Sequence, residues 1–339
     1  MQISTGLGVY WTEVDRAQIG LDPRTGITLD GFTAAELWLV DTLTHATTEV
    51  EYRERARKLG IGMARAKQIA ALLERAGVLD NRTSQALDSG PCWRLRHSEH
   101  RRGHNHVALH YADQLGAGIG LGLANAGVGR ITTTDRAAVG TADHPALRVD
   151  GLGLARASMF HQVLQNSVPA DSHRRLAERR EVTYRGQAST YPAPDLVVLT
   201  GSHTVDPVLV GEYLARGMPV CLAWVEEVDI YVGPLLLPHS GICGRCLYLY
   251  RCESDPKWSR LAVQANVAAA VAAEATGLAM ACALAVREIV NVLDGATSSL
   301  TNAMWRIPPA PGLPELIELQ PHPDCGCSEL AHLPIDQTV

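Results

Sequence analysis

The first 80 residues alternate between short strand-like patterns and longer helical ones. The strand-like segments run over 9–14, 18–22 and 26–31, and the helical segments begin near 33, 51 and 63. A capping-box sequence, Thr-Ala-Ala-Glu, opens the first helical segment. A helix over 63–76 should turn Ile69, Leu72 and Leu73 inward. Three strands followed by three helices predict an α+β domain over 1–82 with a winged helix-turn-helix shape.

The rest of the chain has a different pattern, in which apolar strands alternate with helices. Residues 83–103 are polar and lack periodicity, so we interpret them as a linker. Beyond them, strand-like segments lie at 107–112, 130–135, 195–202 and 218–225. Strand–helix–strand units of this length imply a parallel sheet with right-handed crossovers. We therefore predict an α/β domain with a mainly parallel sheet over 104–339.

An alanine-rich run over 261–286 is the most apolar stretch of the chain. Gln264, Asn266 and Glu274 interrupt this run, and alanine is only weakly apolar on membrane-insertion scales. We expect a buried helix here and no membrane span.

Composition narrows the class of protein. Of the 339 residues, 46% are hydrophobic and 19% are charged, which is ordinary for a globular protein. The formal net charge of -6 provides no general attraction to nucleic acid, so we expect no nucleic-acid partner. The N-terminal residues lack the basic region and apolar run of a signal peptide, so we expect a cytoplasmic protein.

Four of the eight cysteines form two close pairs in turn-like sequence. Cys243 and Cys246 form a C-x-x-C, and Cys325 and Cys327 form a C-x-C. Cytosolic cysteine pairs indicate metal or redox chemistry rather than disulfides. Zinc takes four thiolates in a tetrahedron, and a glycine beside the ligands permits the tight turn. We predict a structural zinc site; the alternative, a redox dithiol in the first pair, leaves the second pair without a role.

A nucleotide-type signature opens the predicted α/β domain. A strand, a glycine-rich turn, a helix and a second strand ending at Asp135 have the outline of a dinucleotide-type phosphate site. In such sites glycines let the backbone approach phosphate at a helix N-terminus, and the acidic residue binds a ribose hydroxyl.

The run ADQLGAGIGLGLANAGVGRITTTD resembles the ThiF/MoeB-like, ubiquitin-activating-type adenylyltransferases, whose domain is Rossmann-like. When Ala-Gly-Val-Gly at 126–129 is aligned with the same motif of the family, Gly116 aligns with the last glycine of the family's glycine-rich loop. Asp135 then aligns with the acidic residue that binds ribose. Tyr111 and Asp113 then fall on the first two glycine positions, where a ring and a carboxylate oppose phosphate binding. The family's Asn-x-x-Arg segment is not found after the second strand. The resemblance implies a vestigial nucleotide site at Gly116 and Asp135, and no ATP binding is expected.

A second resemblance covers about 104–330. The segment VGPLLLPHSGICGRCLYLYRCESDPKW, followed later by PHPDCGC, is similar to the ThiF-like cyclodehydratase partner proteins of thiazole/oxazole-modified peptide biosynthesis. The resemblance implies a separate YcaO-type cyclodehydratase as a partner. ThiF-like folds usually dimerise, so a homodimer is also implied.

The N-terminal domain resembles the PqqD-like peptide recognition element of these systems. In that element, the leader region of a precursor peptide adds a strand beside the third strand and rests on the third helix. Basic residues outnumber acidic ones on the second and third helices, which suits an acidic leader. By this resemblance, the leader-binding residues are Ile27, Thr28, Leu29, Arg65, Gln68 and Leu72.

Three functions are compatible with these patterns. The first is a non-catalytic partner that binds the leader and presents the precursor to a YcaO-type enzyme, which forms azol(in)es in a ribosomal peptide. The second is an active ATP-dependent adenylating enzyme acting on a peptide carboxylate, against which Tyr111 and Asp113 argue. The third is a winged-helix DNA-binding regulator, against which the net charge argues.

Overall fold

The computed structural model describes residues 1–4, 6–79, 102–167, 193–238 and 241–327. The chain divides into two compact units, Met1–Glu99 and His100–Val339. The predicted linker at 83–103 lies almost entirely outside the described residues, so the domain boundary at residue 82 stays a prediction.

The first unit is a three-stranded antiparallel sheet followed by three helices. The strands are β1 (Val9–Glu13), β2 (Arg16–Ile19) and β3 (Ile27–Asp30), and the helices are α1 (Ala34–Asp41), α2 (Glu49–Lys58) and α3 (Met63–Arg75). β2 begins earlier than the pattern predicts, because the chain reverses tightly and Arg16 pairs with Glu13 at once. The sheet order is β1-β2-β3, which leaves β3 at an edge.

Capping boxes start the first two helices. The Thr33 hydroxyl accepts from the backbone N–H of Glu36 at 3.3 Å, and the Glu36 carboxylate accepts from the N–H of Thr33 at 2.8 Å. Thr48 and Glu51 repeat this arrangement at the start of α2. Each box satisfies N–H groups that have no partner inside the helix.

The core of the first unit lies between the sheet and one face of the helices. Ile69 and Leu73 of α3 are fully buried, but Leu72 is 37% exposed, so the prediction that Leu72 points inward is wrong. Leu72 falls to one side of the helix face that Ile69 and Leu73 define. After α3, Leu79 forms an isolated bridge with Ile3. The predicted wing would follow it and lies outside the described residues.

The second unit is built on a mixed sheet, whose order is β10-β9-β8-β7-β6-β4-β5. The strands are β4 (His106–Leu109), β5 (Arg130–Thr133), β6 (Leu196–Ser202), β7 (Val220–Glu226), β8 (Asp229–Leu236), β9 (Ala303–Ile307) and β10 (Glu315–Glu318). β5, β4, β6 and β7 are parallel, as the repeating pattern predicts. β8, β9 and β10 extend the sheet in antiparallel fashion.

Helices cover both faces of this sheet, which explains why β4, β6 and β7 are mostly apolar. The helices are α4 (Gln114–Asn125), α5 (Pro145–Gly151), α6 (Arg156–Ser167), α7 (Pro207–Ala215), α8 (Gly244–Ser254), α9 (Trp258–Ala265) and α10 (Ala275–Leu293). α4, α6 and α10 share one buried cluster with the sheet. α7 and α8 share a second cluster on its other face.

The alanine-rich run is not one buried helix. α9 has no buried residue, the chain from 266 to 274 is not helical, and α10 begins only at Ala275. Alanines alone bury too little apolar area to hold every turn against the core. α10 is long and apolar enough to cross a membrane by length and composition, a test that the core helix of a soluble protein also passes. Ala281, Ala285 and Ile289 of α10 are fully buried against the sheet and α4.

Candidate metal centre and nucleotide-type site

The structure brings the four predicted zinc ligands together. The sulfurs of Cys243, Cys246, Cys325 and Cys327 all lie within 4.8 Å of one another. Cys243 Sγ is 3.8 Å from Cys246 Sγ and 3.4 Å from Cys325 Sγ, and Cys246 Sγ is 3.3 Å from Cys327 Sγ. With zinc–sulfur bonds of about 2.3 Å, the sulfurs of a tetrahedron lie about 3.8 Å apart. The four thiols therefore fit a tetrahedral metal ion, and no other such group occurs within the described ranges.

Local structure explains how each pair of cysteines is presented. Cys243 is the residue that precedes α8, and Cys246 is fully buried in the first turn of that helix. Cys325 ends a single 3-10 turn, and Gly326 then adopts φ 72°, a left-handed conformation that favours glycine. This reversal returns the chain so that Cys327 faces the same centre. The C-x-C pair therefore depends on its central glycine, as the sequence predicts.

The ionisation of the four thiols to thiolates is favoured by a bound cation. Burial raises the pKa of Cys325 to about 11. Burial also opposes ionisation of Cys246, but hydrogen bonds from the backbone of Cys243 and His322, and from the neighbouring thiols, lower the pKa of Cys246 overall. Thiols this close become thiolates together only when a cation offsets their charge. The donors are all soft sulfur, which suits zinc, and four protein ligands would leave no open position on a tetrahedral ion.

The glycine-rich segment is a helix rather than the predicted turn. α4 begins at Gln114, so its glycines lie inside the helix. A Cβ on Gly116 would lie 2.0 Å from the carbonyl oxygen of Tyr111, and one on Gly120 would lie 2.6 Å from the Phe160 ring. These glycines are needed for close packing of α4, and the short connection from β4 leaves no loop to surround a phosphate.

The N-terminus of α4 is capped by the chain's own carboxylate. Asp113 Oδ1 accepts from the backbone N–H of Leu115 at 3.0 Å and of Gly116 at 2.8 Å, and Oδ2 accepts from the Thr200 hydroxyl at 2.9 Å. Burial raises the pKa of Asp113. A phosphate-binding helix offers these same N–H groups to its ligand. In this chain the carboxylate of Asp113 accepts from these N–H groups instead.

The predicted ribose acid is also engaged by the protein. Asp135 is buried, and it accepts from the backbone N–H of Ala112 at 3.0 Å and of Ala137 at 2.9 Å. Arg156 lies 3.3 Å from Asp135 and 2.8 Å from Asp143. Sequence reasoning missed Arg156 and Asp143, because they lie outside the family motif and only the fold brings them to Asp135.

We predict that Asp113→Asn stabilises the second unit at neutral pH. The amide oxygen would keep both N–H bonds, and the amide nitrogen would donate to Thr200 without a buried charge. Because the folded pKa of Asp113 is raised, its carboxylate costs more stability as the pH rises above about 3.9, the ordinary value for aspartate. Thermal unfolding should show a gain of a few degrees at pH 7 that shrinks towards pH 4, on the scale of about 2–4 °C per kcal/mol.

Asp206→Asn is the matched control for this prediction. Asp206 caps α7 with a carboxylate that accepts from the N–H of Val208 at 2.8 Å, in a more open position. Its replacement removes no buried charge, so we expect no gain in thermal stability at pH 7. A loss of stability in Asp113→Asn at pH 7 would mean that attraction between the Asp113 carboxylate and Arg156 outweighs the free-energy cost of burying the Asp113 charge.

The six residues of the predicted leader site lie on β3 and α3. Ile27, Thr28 and Leu29 belong to β3, whose only strand partner among the described residues is β2. Arg65, Gln68 and Leu72 form an exposed stripe along α3. Leu29 is 2% exposed, so its side chain belongs to the core and only its backbone is available to a peptide.

Arg65 already has partners within the first unit. Its Nε lies 2.6 Å from Glu36 Oε1, and its guanidinium carbon lies 5.4 Å from the centre of the Phe32 ring. Glu36 belongs to the capping box of α1, so a change of Arg65 also affects that helix start. Gln68 and Leu72 are therefore cleaner sites for testing peptide binding.

Sequence reasoning also missed an aromatic cavity of about 180 Å³ beside the cysteine cluster. Trp224 and Tyr231 stack on one wall with ring centres 4.8 Å apart, and Arg251 lies over the Trp258 ring at 4.3 Å. These residues come from separate elements, β7, β8, α8 and the start of α9. Their spacing in sequence therefore carried no signal.

The sheet order, the helix layers and the strand–helix–strand frame around α4 define an α/β fold of the Rossmann type, as predicted. No protein-family model and no curated protein matches the sequence. Among solved structures, E. coli MccB with ATP is similar with a TM-score of 0.55 and 12% identity, over 96% of this chain and 98% of that chain.

Two further structures share this fold. The Microcin C7 biosynthetic enzyme MccB in complex with N-formylated MccA is similar with a TM-score of 0.55 and 12% identity, over 96% of this chain and 98% of that chain. PaaA is similar with a TM-score of 0.56 and 13% identity, over 93% of this chain and 98% of that chain. At these identities the similarity establishes the fold alone.

Proposed function

We propose that this chain binds the leader region of a precursor peptide and presents that peptide to a separate YcaO-type cyclodehydratase. The main support is the edge strand β3 together with the exposed stripe of Arg65, Gln68 and Leu72 on α3. Arg65 of that stripe lies over the ring of Phe32, two residues after β3 ends. An edge strand offers unpaired backbone groups to an incoming strand, and a helix beside it offers side-chain selectivity. MccB, which has this fold, has been crystallised with the MccA precursor peptide, and this also supports peptide binding.

The charge of the helices supports an acidic leader. α2 and α3 together carry seven basic and four acidic side chains. Part of this charge is neutralised locally, since Arg53 pairs with Glu49 and Arg65 pairs with Glu36. The excess positive charge would speed association with an acidic peptide and make it sensitive to salt.

The second unit supports a scaffold role without adenylation chemistry. The carboxylate of Asp113 accepts from the N–H groups that a phosphate would need. The carboxylate of Asp135 accepts from the backbone N–H of Ala112. Nucleotide phosphates at this end of α4 would be repelled by the carboxylate of Asp113. We propose that this unit, held by a structural zinc ion, docks the modifying enzyme and raises the local concentration of the bound precursor.

An adenylating enzyme is the second candidate, because MccB is itself an active adenylating enzyme and one of its structures contains ATP. This candidate requires the start of α4 to open and Asp113 to leave its cap. ATP–pyrophosphate exchange with the precursor peptide separates the two functions. We expect no exchange above background, and exchange that requires the peptide would establish the enzyme instead.

Fluorescence anisotropy with a labelled leader peptide tests the proposal directly. The peptide would be encoded by the short open reading frame nearest the gene, and the titration would be run with and without ATP. We expect saturable binding whose Kd changes less than twofold with ATP and weakens in Leu72→Glu. Binding that appears only with ATP, or no binding to any neighbouring short peptide, would overturn the proposal.

A further inference from the structure

A buried histidine lies between the two halves of the cysteine cluster. His322 is 2% exposed and stands between two prolines, just before the 3-10 turn Pro323–Cys325. Its backbone N–H donates to Cys246 Sγ at 3.3 Å. Its Nδ1 accepts from the backbone N–H of Asp324 at 3.1 Å, which caps the turn that presents Cys325.

The His322 ring also faces α8. Because Nδ1 accepts a hydrogen bond, the neutral ring carries its proton on Nε2. Nε2 lies 3.1 Å from Glu253 Oε1, an ion-pair distance rather than an aligned hydrogen bond. The ring meets Tyr250 edge-on, with centres 4.7 Å apart.

These contacts converge on one face of one helix. Cys246, Tyr250 and Glu253 are spaced i, i+4 and i+7 along α8, so their side chains share a face. His322 touches all three, and through Asp324 it also shapes the turn that carries Cys325.

We propose that His322 is a positioning residue of the metal site, which fixes the C-x-C pair onto α8 so that all four thiolates face one ion. This inference rests on the proposed zinc binding. His322 supplies no ligand atom. It orients two ligands, Cys246 through a backbone N–H and Cys325 through the capped turn, and groups of this kind typically contribute 10–100-fold to metal affinity.

Zinc release from the full-length protein tests this role. The zinc-loaded protein would be mixed with excess chromophoric chelator, and the rate of zinc transfer would be followed by absorbance. His322→Ala should release zinc on the order of 10–100-fold faster than the unaltered chain. His322→Asn should be intermediate, because its amide oxygen can cap Asp324 but cannot reach Glu253.

His144→Ala is the matched control. His144 caps α5 in the same way, with Nδ1 accepting from the N–H of Ala146 at 3.2 Å, but it lies against α4 rather than the cysteines. This variant should release zinc at the unaltered rate, even if it lowers thermal stability. A faster release in both variants would mean that general destabilisation, not positioning, controls the rate.

Two further outcomes would overturn the inference, and they are distinguishable. If the unaltered chain binds no zinc and gives no tetrahedral thiolate spectrum with cobalt, the metal site itself is wrong. If the unaltered chain binds zinc and His322→Ala releases it at the same rate, the metal site stands and His322 only fills space.

Discussion

Replacing Cys246 by serine should abolish zinc binding by this chain. Cys246 is fully buried, and its sulfur contacts those of Cys243 and Cys327. A serine hydroxyl is a poor zinc ligand and has no room to recruit water, so three thiolates would be left in a buried site with one corner missing. We expect metal analysis to give about one zinc per unaltered chain, and close to none in Cys246→Ser.

The same change should lower the thermal stability of the second unit. A bound metal would tie α8 to the chain around Cys325 and Cys327, which pack against the second buried cluster of the sheet. Structural zinc contributes about 10–16 kcal/mol in isolated zinc fingers, and a unit with its own core should lose less. A loss of several kcal/mol would lower Tm by on the order of 10 °C, and chelator treatment of the unaltered chain should have the same effect.

Cys282→Ala is the control that separates this site from general thiol loss. Cys282 is largely buried on α10, and its thiol donates only a weak hydrogen bond to the carbonyl of Leu115 at 3.8 Å. This variant should keep its zinc. Full zinc content in Cys246→Ser, or equal loss in the two variants, would contradict a four-cysteine site.

The cysteine cluster could be predicted from sequence because its determinants are local. The spacing within each cysteine pair and the glycine at 326 fix how each pair is presented, and soft ligands limit the choice of ion. What sequence could not supply was the support around the thiols. His322 and Glu253 are distant in sequence, and only the packing of the tail onto α8 brings them together.

The fold class was predictable for a related reason. Parallel strands buried on both faces read as continuous apolar runs, and β4, β6 and β7 all do so. The antiparallel strands at the other end were missed, since β10 is mostly exposed and carries little apolar signal. The split of the alanine-rich run was missed because weak apolar residues define no single buried face.

The nucleotide-type segment shows why a motif needs its geometry. The family alignment placed Gly116 as a loop glycine, whereas in the structure it lies within α4 against Tyr111. Asp113 in the alignment looked like an obstacle to phosphate, and in the structure it is the helix cap. The cap also depends on the hydroxyl of Thr200, which the motif does not contain.

Thr28→Pro should weaken leader binding at least tenfold. The backbone N–H of Gly20 donates to the carbonyl of Gly8, the residue just before β1. Residues two apart in an antiparallel strand direct their backbone groups to the same neighbouring strand. Gln18 therefore faces β1, and its counterpart Thr28 directs its N–H and carbonyl away from β2, towards the open edge. Proline removes that N–H, and its ring obstructs an incoming strand. Loss of one hydrogen bond weakens binding by about 1 kcal/mol. The obstruction by the ring should raise the total loss of binding free energy above the 1.4 kcal/mol that corresponds to a tenfold change in Kd.

Thr28→Val is the matched control, because it keeps the N–H and the β-branched shape while removing the hydroxyl. Its Kd for the labelled leader, measured by anisotropy, should stay within about twofold of the unaltered value. Circular dichroism and Tm should be nearly unchanged in both variants, since the bonds between β2 and β3 use Ile27 and Leu29. Equal Kd values for the proline and valine variants would show that the leader does not extend this sheet. The peptide would then have to be sought on the second unit, where the aromatic cavity beside the cysteine cluster offers the next surface to test.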